Sequence, residues 1–64
     1  MSDFTSRLQN EREELSDKID KLHVFIKSEN YKNIDIEQQA LLPIQLKVMQ
    51  SYDEILRTRI ELLP

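Results

Sequence analysis

The sequence predicts an all-α fold, an antiparallel two-helix hairpin that assembles into a homo-oligomeric helical bundle. Three observations carry this expectation. The chain has no glycine and only two prolines, so tight β-hairpins and glycine-rich phosphate loops lack their residues. Two stretches of similar length, about 3–29 and about 35–63, carry apolar residues at helical spacing on either side of a short connector at 30–34. The second stretch has more apolar surface than the first can cover, and a chain of 64 residues with no cysteine has neither disulfides nor thiolate-bound metal to compensate. A single hairpin domain spanning 1–64 must therefore associate, as a dimer of hairpins, a tetramer or a hexamer.

The first helix can be capped by Ser2 or Asp3 and runs through Phe4, Leu8, Leu15, Ile19, Leu22, Phe25 and Ile26, an apolar stripe that Glu11 and Arg12 interrupt. Its outer face places Glu14 before Lys18 and Asp17 before Lys21. Each pair is in the favourable acid-first order and is worth about 0.2–0.5 kcal/mol. The helix is expected to stop at Ser28 to Asn30, with Asn30 taking the left-handed conformation that glycine usually supplies. Folding the chain about Lys32 then sets Leu22 near Leu42, Leu15 near Met49, Leu8 near Leu56 and Phe4 near Ile60. Every one of these pairings is apolar.

The second helix starts at a recognisable cap. Asp35 suits the N-cap, Gln38 stands where a capping box needs it, and Glu37 favours the positive end of the helix dipole. Beyond them, Leu41, Val48, Ile55 and Leu62 form one heptad-spaced column, and Leu42, Met49, Leu56 and Leu63 form a second beside it. One partner helix covers one such column. Pro43 lies past the first turn, where it removes a backbone donor and frees the carbonyl of Gln39, so a bend or a break is expected there. A bend curves the helix round its core; a kink would instead open a pocket beside Gln39.

Charge and composition narrow the function classes. Twelve acidic and nine basic residues give a net charge of −3, and they are mixed along both halves, unlike the basic footprint of a nucleic-acid binder. No apolar run approaches the roughly 18 residues of a membrane span, and Met1 to Asn10 lacks the character of a signal peptide, so a cytosolic protein without membrane contact is expected. One histidine, His23, and no cysteine leave nucleophilic and metal-assisted catalysis without their parts. His23 itself reads as a partly exposed or interface residue. Neither an enzyme nor a cofactor is implied.

The polar residues that stand out are Gln45, Tyr52 and Arg59, which recur every seven residues beside the apolar columns. Polar groups held on such a face need partners. In one reading they set the register of a helix interface, Gln45 against Gln45 and Arg59 against Glu11 or Asp53. In the other they line a cleft between protomers, Arg59 gripping a phosphate and Tyr52 stacking on a base. Lys47 is a further phosphate partner. A second group sits at the turn, where Lys27, Ser28, Tyr31, Lys32 and Asn33 combine cations, a ring and hydrogen-bonding groups, although Tyr31 can equally plug the end of the hairpin.

Lys21-Leu22, Phe25-Ile26-Lys27-Ser28-Glu29, Gln39 to Leu42, Gln45-Leu46, Met49, Tyr52, Ile55-Leu56 and Arg59-Ile60 together resemble a family of very short tailed-phage proteins. That family is related to an accessory protein of crAss-like phages and has no assigned enzymatic activity; the resemblance runs from about Leu8 to Ile60. In size, hairpin form and expected self-assembly the chain is also similar to the small helical phage oligomers that sequester cyclic nucleotides or ADP-ribose derivatives of bacterial immune systems such as CBASS and Thoeris. These resemblances imply a phage anti-defence protein in the cytoplasm of the infected host. It would hold a nucleotide signal without cleaving it; no ligand residue carries over from those oligomers, and the sequence itself offers Arg59 and Lys47 for phosphates, Tyr52 and Tyr31 for bases, and Gln45 and Ser28 for hydrogen bonds. The alternative is a structural or protein-binding coiled-coil module acting on a host or phage protein.

Overall fold

In the computed structural model, which describes residues 2–64, helix α1 spans Ser2–Ile26 and helix α2 spans Ile36–Glu61. A 3-10 helix, Glu29–Asn33, joins them, and among the described residues there is no strand. The molecule is a helical hairpin with extents of 47 × 14 × 14 Å. Neither helix is long and apolar enough to cross a membrane.

The seam between the helices follows a heptad on both sides. On α1 the half-buried or buried positions include Thr5, Leu8, Arg12, Leu15, Ile19, Leu22 and Ile26; on α2 they are Gln39, Leu42, Leu46, Met49, Asp53, Leu56 and Ile60, with Leu63 continuing the series just past its end. Steps of three and four alternate throughout, the pattern of helices packed knobs into holes. Leu8 at 4% exposure and Leu56 at 0% are the buried core residues. Two cross-helix contacts lie one turn from that pair on the side of the connector: Glu11 meets Tyr52 and Arg12 meets Asp53.

The column Leu42, Met49, Leu56 and Leu63 therefore lies against α1, and its neighbour does not. Leu41, Val48, Ile55 and Leu62 remain 56%, 63%, 56% and 78% exposed. A two-helix hairpin has only one seam, so the second column of a double-striped helix stays uncovered.

The ends of the elements depart from expectation in ways that local chemistry explains. Helix α1 stops at Ile26 rather than at 29, because Lys27 and Ser28 turn back to the carbonyls of Val24 and Phe25 in tight three-residue steps. The Ser28 hydroxyl donates to the same Phe25 carbonyl at 2.6 Å, and Ser28 itself is extended, which launches the 3-10 turn. No described residue has a positive φ, so Asn30 is not left-handed; the reversal is made by extended backbone at Ser28 and at Ile34 on either side of that turn. Ser2 is already helical and its side chain lies outside the described residues, while Asp3 falls within the first turn, where it acts through the dipole.

Asp35 does occupy the N-cap of α2, but its side chain makes no capping hydrogen bond, so the box with Gln38 does not form. Gln39 ties the connector down instead, its amide donating to the carbonyls of Ile34 at 2.9 Å and Lys32 at 3.3 Å. Pro43 sits inside α2 without breaking it. The carbonyl of Gln39, which Pro43 deprives of its helical donor, accepts the Tyr31 hydroxyl.

Candidate functional site

Gln45, Tyr52 and Arg59 lie in one row along α2, all exposed, on the border between the seam and the uncovered apolar column. Fourteen residues of helix separate Gln45 from Arg59, or about 21 Å, so a single chain cannot close all three on one small molecule. Tyr52 is positioned from the other helix. Its hydroxyl donates to the Glu11 carboxylate across the seam, and this bond raises the phenol above its ordinary pKa near 10.0. Partial desolvation and the Glu11 charge push the same way, and the Arg59 charge opposes them.

Arg59 is the unpaired cation of the row. Among the described residues it makes no ion pair: Glu11 accepts from Tyr52 and Asp53 faces Arg12, at 3.4 Å. Its guanidinium borders a shallow groove of about 450 Å³ on the outer side of α2, which Ser51, Glu54, Ile55 and Thr58 complete. Gln45 makes only a weak contact from its amide to the Met49 sulfur, at 3.8 Å, and is otherwise free to bind.

The other candidates lie elsewhere. Lys47 is two residues from Gln45 and so projects roughly 160° away round the helix. Tyr31 and Ser28 stand at the turn, on the order of 35 Å from Arg59 along α2. Both are occupied locally: Ser28 donates to Phe25, and Tyr31 donates to Gln39 while its ring meets Phe25 edge-on at 6.2 Å. The end-plug reading of Tyr31 fits this geometry. His23 is exposed.

Several roles that shape the site were not read from the sequence. Glu11 fixes the Tyr52 hydroxyl, Ser51, Glu54 and Thr58 wall the Arg59 groove, and Gln39 anchors the turn. The signal for Glu11 was available in the register, since the pairing of Leu8 with Leu56 already sets residue 11 beside residue 52. Among the described residues no group of three or more His, Asp or Glu side chains is placed to hold a metal ion.

No curated protein and no solved structure matches the chain. A family model does: the Sequestin model covers residues 2–62, which takes in both helices, the turn and the whole Gln45, Tyr52 and Arg59 row. On that match the chain belongs to the Sequestin family.

Proposed function

We propose that this member of the Sequestin family is a phage-encoded anti-defence protein that binds a bacterial immune nucleotide and holds it intact. The signal would be a cyclic oligonucleotide or an ADP-ribose derivative, captured in the cytoplasm of the infected host. The family name denotes sequestration, and the resemblance to short tailed-phage proteins supports a viral source. Sequestration asks for a cleft with cations for phosphates and rings for bases, and for no general base or metal.

The observation that carries this reading is the exposed Arg59 beside Tyr52. A guanidinium without an intrachain carboxylate partner borders a groove, and a ring fixed by Glu11 stands one heptad away. Arg59 can grip a phosphate in bidentate fashion, Tyr52 can stack on a base, and Gln45 can read its polar edge. Lys47, Tyr31 and Ser28 are secondary contacts, available only where another protomer brings its own row to them. An acidic chain can do this because a few convergent cations dominate a small cleft, whereas long DNA or RNA would be repelled.

The test is to mix the purified chain with a panel of cyclic di- and trinucleotides and cyclic ADP-ribose isomers, follow the melting temperature, then heat the complex and identify what is released. A raised melting temperature with intact ligand recovered supports sequestration. Recovery of a cleaved product overturns the non-catalytic reading, and no shift across the panel leaves the protein-binding module as the better account.

A further inference from the structure

We infer that the uncovered face of α2 is a self-association surface on which two copies pair their second helices antiparallel. The first support is area. A folded monomer of 7.7 kDa is expected to expose about 4,300 Å² by the usual size scaling, yet this hairpin exposes 5203 Å². The excess, about 900 Å², matches the roughly 800 Å² that each partner contributes to a standard stable interface. Four of the exposed apolar side chains, Leu41, Ile44, Val48 and Ile55, lie together on one side of one helix.

The second support is pattern. Leu41, Val48 and Ile55 alternate with Ile44, Ser51 and Thr58 in steps of three and four, which is a second heptad seam on the same helix. Antiparallel pairing sets Ile44 against the partner's Ile55 and Val48 against the partner's Ser51, so a branched side chain meets a small one at the centre and the helices can approach closely. The third support is charge. This register brings Lys47 beside the partner's Glu54, and symmetry repeats the contact, so two ion pairs flank the seam. Sliding the pair by one heptad would instead set Glu54 against the partner's Glu54.

The pairing draws Ser51, Ile55 and Thr58, which line the groove beside Arg59 in the single hairpin, into the seam, and so moves the ligand contact to the flank; only that consequence rests on the sequestration reading. On the flank opposite the ion pairs, Tyr52 comes to lie beside the partner's Gln45, and symmetry repeats this. Two rings and two amides then converge within about 10 Å at the two-fold axis, although within one chain Gln45 and Tyr52 are a heptad apart. The binding row is completed by the second copy.

Sedimentation equilibrium on the full chain without ligand, in low salt, tests the pairing. An even-numbered assembly is expected. Lys47→Glu or Glu54→Lys alone should weaken it by about tenfold, since two favourable contacts become two repulsive ones, and the double exchange should restore it. In a parallel pair Glu54 would face the partner's Arg59, and the double exchange would not restore assembly. A folded monomer of 7.7 kDa, or failure of the double exchange to rescue, overturns the inference. Val48→Lys with Ile55→Lys, both exposed in the hairpin, should give a helical monomer, which separates lost pairing from lost folding. The two readings fail separately, because a mass measured without nucleotide judges the pairing, and an assembled chain that answers to no nucleotide in the panel judges sequestration.

Discussion

The Tyr31 hydroxyl donates to the carbonyl of Gln39, the one acceptor in α2 that Pro43 strips of its backbone donor. A residue of the connector thus repairs the defect that proline makes one turn into the helix. The Gln39 side chain returns the favour by binding the connector's own carbonyls at Lys32 and Ile34. Proline, tyrosine and glutamine therefore lock the turn as a unit, and the cost of Pro43 is offset by a contact with a residue of the connector that precedes the helix.

That lock predicts a coupling. Tyr31→Phe keeps the ring against Phe25 but removes the donor, and should cost about 0.5–1.5 kcal/mol of unfolding free energy. In a Pro43→Ala background the alanine N–H can take the Gln39 carbonyl, so the same change should cost close to nothing. Urea denaturation of the four proteins measures this cycle. Equal costs in both backgrounds would show that the phenol serves something other than the proline gap.

The contact between Tyr52 and Glu11 predicts a pH effect. Hydrogen bonding to the carboxylate favours the neutral phenol, so the folded chain binds its proton more tightly than the unfolded chain does. The stability this adds is fully present below the ordinary phenol pKa near 10 and is lost as pH rises through the raised value. In a Tyr31→Phe background Tyr52 is the remaining tyrosine, and its absorbance titration should run above the ordinary value. Glu11→Gln should bring it back down; an unchanged titration would mean that the carboxylate is not the cause.

Burial predicts the sharpest single loss of stability. Leu56 is fully enclosed, so Leu56→Ala should cost about 2–5 kcal/mol, enough to unfold a chain of this size. Its neighbour Ile55 is more than half exposed, and Ile55→Ala should leave the hairpin folded. Circular dichroism melts at a single low concentration compare them. A loss of helix on Ile55→Ala as large as on Leu56→Ala would contradict the division of α2 into a covered and an uncovered column.

Much of this architecture is legible in the residues because it depends on spacing. The double column of α2, the connector, and the carbonyl freed by Pro43 all follow from positions alone. What spacing hid was polar. Arg12 and Thr5 hold seam positions on α1, and Gln39 and Asp53 do so on α2, so a count of apolar residues sees an interrupted stripe where the structure has an unbroken heptad. The site was less legible for a related reason. Gln45, Tyr52 and Arg59 recur at seven because they share a helix face, and that period places residues in a row, which in one chain is a ridge some 21 Å long. Tyr31 and Ser28 combine polar groups at the turn for the turn's own hydrogen bonding.

The ion pair inside the seam gives the last test. Arg12 Nε and Asp53 Oδ1 are 3.4 Å apart, and both atoms are buried without a hydrogen-bond partner, so the contact is Coulombic and poorly aligned. Charges held this way recover little of their desolvation cost, which makes the pair a determinant of register more than a source of stability. Asp53→Ala should then cost about 1–3 kcal/mol, because it strands the Arg12 nitrogen in the seam. Replacing both, Arg12→Leu with Asp53→Leu, should match or exceed the parent in stability while completing an apolar heptad that no longer distinguishes one heptad shift from the next. Urea denaturation reads the first expectation, and a broadened set of amide resonances in the double variant reads the second. A double variant less stable than either single one would mean that the pair contributes favourably in its own right and that the seam depends on it.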